Sequence, residues 1–564
     1  MHASLLACRQ LATGRRNVQA QSTPDARCGR PSCHNCRGAF PDASFRAPDS
    51  LRARSFTRRE RHEKMKRSMA DRPNLIFFLS ENHARHVAGC YGHPVARTPT
   101  LDRLAQRGTV FDNAYCASPI CCPARASIAT GLYPHQTGYW ENSTAYDGRI
   151  PTWMHRLREA GHEVTAIGKL HYRRTEDDNG FSEEILPMHI VGGIGGLLGL
   201  LRGSGEEPVR AGNWEMYVDE LGAGETSYQQ YDRKITAHAV DWLKARRRNP
   251  GKPWALCVNH VSAHPPFRVS QHLLDLYPLE HVPAPVAYRP GERPAHPAVE
   301  HLRRILGQKT ALDEITLKRI AAAYFALITH LDDQIGKVLA AAEEAGLLER
   351  TLVIYSSDHG DCFGNHYILG KFNLYERSAG VPLIVSGPGV PSGTRVAQIA
   401  SHVDLFPTIL EVMGVAGGIG QHKGISLWPA MRGREDSRTG FSEYHGLGSK
   451  NAGYMLRDGN MKLIYHVGMP MQLYDLRRDP DERRDLGEDR RASDIRATLE
   501  QKLRKLLDPE ATDARAKADQ RRKAQEYGGT AAILKRGGIP YTPPPGTEPR
   551  FLPVTEEQAR GGGQ

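Results

Sequence analysis

The sequence predicts an α/β protein in which helices sandwich a large, mostly parallel sheet, followed by a smaller C-terminal α+β unit with an antiparallel sheet. Three observations predict it. From Asn74 to about residue 435, short continuous apolar runs alternate with helix-length amphipathic runs, the pattern of buried parallel strands joined by crossover helices. Beyond residue 435 strand-like runs follow one another without intervening helices. The chain has 564 residues, 40% hydrophobic and 24% charged; this is enough for a sizeable core in two or three folding units and excludes a disordered, collagen-like or coiled-coil protein.

Each element has its own signal. Leu75–Leu79 is uninterrupted and apolar, as a strand buried on both faces requires. Pro99–Arg107 carries Leu101, Leu104 and Ala105 at helical spacing and opens on proline, a favoured first helical residue. Strands are expected at Val110–Tyr115, Val164–Ile167, Trp254–Val258, Leu352–Tyr355 and Pro382–Val385. Helices are expected at Thr152–Ala160, Tyr228–Arg247, Ile315–Ala345 and Leu405–Val412. Tyr454–Leu456, Lys462–His466 and Gln472–Tyr474 read as short antiparallel strands, and Ala492–Leu507 as a helix. The domain plan is a basic extension over 1–68, a catalytic α/β domain over 70–435, a small subdomain over 436–510 and an extended Gly- and Pro-rich arm over 511–564. Ile185 to Leu201 is apolar but holds Pro187, His189 and five glycines, which breaks any spanning helix and reads as a flexible loop.

The formal net charge of +12 raises the question of a polyanion partner. Residues 1–68 hold 13 Arg and 2 Lys against 3 Asp and 2 Glu, a net of +10, which leaves +2 for the other 496 residues. The body therefore lacks the basic balance of a nucleic-acid binder. The basic segment has no hydrophobic periodicity and no apolar core of a secretory signal, and reads as disordered. Met65 and Met69 stand just before the first strand-like run, so translation is expected to start there. Cys33 and Cys36 lack the second pair a zinc site needs. The remaining cysteines form no disulfide framework, and a reducing cytoplasm is the expected compartment.

Chemistry concentrates after the strands, where open α/β sheets place their ligands. Cys121-Cys122-Pro123-Ala124-Arg125, continuing to Thr130-Gly131, follows a Ser118-Pro119 turn and opens a helix. That position sets Cys121 at a helix N-terminus beside Arg125, a setting that favours an anionic nucleophile and an anionic substrate. Ser356-Ser357-Asp358-His359-Gly360-Asp361 follows an apolar strand, and its adjacent carboxylate and imidazole suit a divalent ion.

These blocks resemble the formylglycine-dependent sulfatases of the alkaline phosphatase superfamily, on the choline-sulfatase and phosphonate-monoester-hydrolase side. The first block is similar to the family's C-x-P-x-R signature, and only Cys121 has the proline and arginine at the right spacing. Pro73 to Asn82 resembles the first strand and its metal-binding pair, with Glu81-Asn82 in place of two aspartates or Asp-Gln. Asn142 resembles an active-site asparagine, Gly168-Lys169-Leu170-His171 the G-K-x-H segment, and Ala263-His264-Pro265-Pro266-Phe267 the P-H-x-P-[FY] segment. Gly370-Lys371 to Tyr375-Glu376 resembles G-K-x-x-x-Y-E, and Glu443-Tyr444-His445 a segment that supplies a carboxylate to choline.

The resemblance implies hydrolysis of a small sulfate monoester. Cys121 would be oxidised to formylglycine by a formylglycine-generating enzyme, and its hydrate would attack sulfur. Arg125, Lys169, His171, His264 and Lys371 would be catalytic, and Asn142 and Glu443 would bind substrate. Glu81, Asn82, Cys121, Asp358 and His359 would hold one divalent ion, calcium by its hard oxygen ligands, with manganese or magnesium as alternatives. A homo-oligomer without nucleic-acid or membrane partners is expected, its C-terminal arm reaching a neighbour's pocket. Two rivals stand beside this: a phosphonate monoester or phosphodiester hydrolase using the same nucleophile, and a non-catalytic binding protein on the same scaffold.

Overall fold

The computed structural model describes residues 72–204, 207–210, 212–248, 251–308, 311–416 and 422–554, all of them within the unit His62–Gln564. The expected basic extension, with Cys33, Cys36, Met65 and Met69, lies outside the described residues. The large sheet has eight strands: β1 (Asn74–Ser80), β2 (Gly108–Phe111), β3 (Glu163–Lys169), β4 (Glu183–Met188), β5 (Trp254–Asn259), β6 (Thr351–Ser357), β7 (Leu383–Ser386) and β8 (Thr394–Val396). Their spatial order is β8-β2-β7-β6-β1-β5-β3-β4. Only β7 runs against its neighbours, antiparallel to both β2 and β6.

The register puts Leu75 opposite both Ala255 and Leu352, so β1 is a central strand. Its alternate residues feed two cores. Leu75, Phe77 and Leu79 pack with Ile128, Trp153, Leu157 and Ile409 on one face. Ile76 and Phe78 pack on the other with Ile235, Leu243, Leu331 and Val338, from the long helices Ser227–Arg248 and Glu314–Glu344. A strand covered on both faces has no polar side, which is why its sequence reads as continuous.

The second sheet is an antiparallel meander of β9 (Thr439–Tyr444), β10 (Gly453–Asp458), β11 (Met461–His466) and β12 (Gln472–Asp475). Leu499 and Leu503 of the helix Ser493–Leu506 close its core against Phe441, Leu456, Leu463 and Leu473. Two expectations need correction. The arm from 511 onward is not extended throughout: helices Pro509–Glu526 and Gly529–Arg536 fill its first part, the first capped by Asp508, which accepts from the Ala511 amide. Nor is Ile185 to Leu201 a free loop. Its first residues belong to edge strand β4, and Leu197, Leu198, Leu200 and Leu201 are buried with Ala524 and Ile533 of those two helices. The apolar stretch pairs with a C-terminal partner more than 300 residues away in sequence. No helix among the described residues is long and apolar enough to cross a membrane.

Candidate active site

The site lies at the carboxyl ends of β1, β6, β3 and β5, where the sheet leaves unpaired strand ends facing one helix N-terminus. Glu81 and Asn82 follow β1, and Asp358 and His359 follow β6. Asn82 has φ 58, a left-handed conformation asparagine tolerates better than most residues. Lys169 is the last residue of β3, and the glycine before it is needed. Gly168 has φ +100, and a Cβ there would stand 2.4 Å from the Asn259 carbonyl oxygen. The ladder shifts between Ile167 and Lys169 at this point. Cys121 is the first residue of the helix Cys121–Thr130, every residue of which is buried.

These side chains converge. The Cys121 thiol donates to Glu81 Oε1 at 2.8 Å and lies 3.4 Å from His359 Nε2. Lys371 Nζ donates to Cys121 Sγ at 3.3 Å and to Asn82 Oδ1 at 2.8 Å. Lys169 pairs with the other oxygen of Glu81. Arg125 ties the helix to the sheet: Nε donates to Asp358 Oδ2 at 3.0 Å and Nη1 to the Lys169 carbonyl at 2.7 Å. Asp361 accepts from Asn82 Nδ2 at 2.7 Å and from the Tyr217 hydroxyl at 2.5 Å. One ligand atom from each of Glu81, Cys121, Asp358 and His359 can be chosen so that all lie within 4.8 Å of one another. This buried set of carboxylates and imidazole is able to hold a metal ion. Asn82 stands at its edge, its amide shared between Lys371 and Asp361.

The electrostatics follow from burial against a local excess of cations. Burial alone would raise the Glu81 carboxyl, but Lys169 foremost, with Lys371 and Arg125, holds it well below the usual range. Burial pushes the Cys121 thiol up to about 12, with Glu81 and Asp358 adding to it against Lys371 and Lys169. The bare thiol is thus not the stabilised anion that its helix position and Arg125 suggested, because burial and the two carboxylates outweigh the lysines, while Arg125 is paired with Asp358. Burial lowers His171 and His264 well below the imidazole range, helped by Lys169 and Lys371 respectively, so both are neutral bases. His264 Nδ1 donates to its neighbour, the Pro265 carbonyl, at 2.6 Å.

A cleft opens over this floor, lined among others by Cys121, Asn142, Lys169, His171, His264 and Lys371. Asn142 Oδ1 accepts from the Cys122 amide at 3.0 Å, so it braces the nucleophile helix as well as facing the cleft. Glu443 is the one predicted site residue that does not join them. Its Oε1 accepts from His135 N and Nδ1 at 2.9 and 2.8 Å, and its Oε2 from His445 Nε2 at 2.8 Å. A carboxylate satisfied on both oxygens away from the cleft is a structural tie, which corrects its assignment to substrate binding.

Sequence reading missed the upper wall. Arg210 lines the cleft, donating to Asn213 Oδ1 at 2.7 Å and to the Pro540 carbonyl at 3.1 Å. Gly538 to Thr542 of the C-terminal segment also line it, so this segment covers the chain's own cleft. Neither region has a local motif, and only their partners give them meaning.

Comparison with known proteins agrees with this geometry. The sulfatase family model matches residues 73–415, and the C-terminal model of N-sulphoglucosamine sulphohydrolase matches residues 364–508. Arylsulfatase K of Danio rerio is 30% identical over 466 residues, 78% of this chain and 84% of that protein. Choline-sulfatase of Rhizobium meliloti is 32% identical over 449 residues, 76% and 86% respectively. Among solved structures, the phosphonate monoester hydrolase of Agrobacterium radiobacter superposes with a TM-score of 0.64 at 24% identity, covering 77% of this chain and 95% of its own, a likeness of fold. With the fold, the converging motifs and more than half the chain matched, this protein belongs to the sulfatase family and is a sulfuric ester hydrolase.

Proposed function

We propose that this enzyme hydrolyses the sulfate monoester of a small organic alcohol or sugar, using a formylglycine hydrate at position 121 and one divalent ion. The observation that carries the reading is the placement of Cys121 Sγ among Glu81 Oε1, His359 Nε2 and Lys371 Nζ at the floor of the cleft. A thiol pushed up to about 12 is a poor nucleophile near neutrality. Oxidised to an aldehyde and hydrated, the same side chain puts two hydroxyl oxygens where Sγ stands. The site is buried, so a formylglycine-generating enzyme has to act before the fold closes.

Glu81, Asp358 and His359 would hold the ion, calcium by its carboxylate oxygens, with manganese or magnesium compatible with the imidazole. When bound, it supplies positive charge to the sulfuryl oxygens and favours ionisation of the adjacent hydroxyl. Lys169 and Lys371 hold the sulfuryl group in preorganised positive charge. One hydroxyl, ionised with its proton released to solvent, attacks sulfur, and the bond from sulfur to the alcohol oxygen breaks. Lys371 protonates that oxygen. His264 is less suited, because its Nδ1 proton is committed to the Pro265 carbonyl and a neutral ring then has no proton on Nε2. His171 takes the proton of the second hydroxyl, the carbonyl re-forms, and sulfate leaves.

Glu443 is turned away from the cleft, both its oxygens taken by His135 and His445, so it offers no carboxylate to a quaternary ammonium alcohol such as choline. The six cysteines of the described residues are all free, in keeping with a cytoplasmic enzyme.

Peptide mass analysis of the purified enzyme tests the nucleophile: a thiol-to-aldehyde change at Cys121 is expected, and an active enzyme carrying only the thiol refutes it. Parallel assays with nitrophenyl sulfate and phenylphosphonate esters test the reaction. Higher kcat/KM on the phosphonate would move the enzyme to the rival class.

A further inference from the structure

We infer that Thr542, in the C-terminal segment, is a positioning residue for His171, accepting the ring's Nε2 proton and leaving Nδ1 free as proton acceptor. Resting on the reading of His171 as base, the inference adds a residue outside every motif of the catalytic domain.

His171 Nε2 lies 2.8 Å from Thr542 Oγ1, while Nδ1 is buried and has no partner. A neutral imidazole has one donor and one acceptor nitrogen, and the bond made by one decides which proton the other can take. With Nε2–H donated to the threonine oxygen, the lone pair of Nδ1 remains for the reaction. The ring's own backbone is held too: His171 has φ 57, and its amide donates to the Met188 carbonyl at 2.8 Å.

Thr542 can hold the ring only if it is itself fixed, and four contacts fix it. The Tyr228 hydroxyl donates to the Thr542 carbonyl at 2.7 Å. The Tyr541 ring packs edge-on against Tyr228 at 5.3 Å. Arg210 Nη2 donates to the Pro540 carbonyl at 3.1 Å, and paired bonds between Gly538 and Leu552 close the loop behind. An exposed arm needs none of these.

The step served is the second half of turnover. The O–H bond of the free hydroxyl on the sulfated hydrate breaks, and its proton goes to Nδ1. Its electron pair forms the carbonyl, and the carbon–oxygen bond to sulfate breaks, so sulfate leaves with that pair.

Thr542→Val keeps the shape and removes the oxygen. It is expected to lower kcat about tenfold with KM changed less than about twofold, as for loss of a partner that orients a histidine. Thr542→Ser is expected to restore kcat to within about twofold. In the valine variant, sulfuryl adduct should accumulate on the peptide containing position 121 after acid quench, because sulfate transfer proceeds and release is slowed. In a His171→Ala background the valine change should add nothing. Unchanged kcat in Thr542→Val, failure of serine to rescue, an equal loss in both backgrounds, or loss without adduct would each overturn the inference. If His171→Ala itself keeps full kcat, the base assignment fails and carries this with it. If His171→Ala is inactive while Thr542→Val is not, only the present inference fails.

Discussion

Glu81, Lys169, Asp358 and Cys121 form the floor of the cleft, each within a residue or two of the end of a buried strand or the start of a buried helix. The roof is made of residues 190–199 and 538–542, stretches rich in glycine and proline that meet only in the folded chain. The floor is charged, and its groups are bound to one another; Arg125 alone spans helix, β3 and β6. The roof is held by hydrogen bonds to backbone carbonyls, by ring packing and by the burial of Leu197 and Leu198 against Ile533. The difference teaches where tolerance lies. Removing a floor charge leaves its buried partners uncompensated, whereas a roof change alters how well the site is covered and oriented.

The contrast breaks if floor and roof changes cost the same. Cys121→Ala should lower nitrophenyl sulfate turnover at least about 1,000-fold while the fold melts normally, since no other side chain can carry the sulfuryl group. Asp358→Asn should cost about 100-fold or more, with metal content falling in parallel by elemental analysis, because it unpairs Arg125 as well as weakening the ligand set. Lys371→Ala sharpens the assignment of the acid: its kcat should fall about 100-fold with an alkyl sulfate and far less with the nitrophenyl ester, whose oxygen leaves without help. Truncation after Arg536 removes the covering segment. It should lower kcat/KM about tenfold or more while leaving thermal stability close to wild type.

The smallest effect concerns a carboxylate outside the cleft. Burial would raise Glu443, but its bonds with His135 and His445 hold it at about 2. A folded value below the unfolded one means its stabilisation is present above about pH 4.5 and is lost as pH falls from there toward 2. Glu443→Gln should flatten the acid side of the stability–pH curve, with little change in kcat. A large rise in KM in that variant would return Glu443 to substrate binding.

The parallel core was legible because a strand covered on both faces must be apolar at consecutive positions, as Leu75–Leu79 is. The floor was legible through its resemblance to the sulfatase motifs, which short local spacing preserves. Residues that leave a strand end or open a helix keep a short, fixed spacing to the element that holds them, so Cys121 to Arg125 and Asp358 to Asp361 carry their geometry locally. The strand expected over Val110–Tyr115 is split, into β2 and a short pair at Ala114–Tyr115.

Other features were open to no local reading. Leu197 to Leu201 looks like a flexible loop until Ile533 covers it, and residues after 511 look like an arm until Arg202 meets Asp513 at 2.7 Å. Glu443 looks like a substrate carboxylate until His135 and His445 take both its oxygens. The amino-acid order by itself determined which groups could do chemistry and the strand and helix ends that present them, because periodicity and spacing act over a few residues. Tertiary structure alone decided which charges are spent on each other, which thiol stays protonated and which distant segment covers the cleft. Those outcomes depend on burial and on partners hundreds of residues apart.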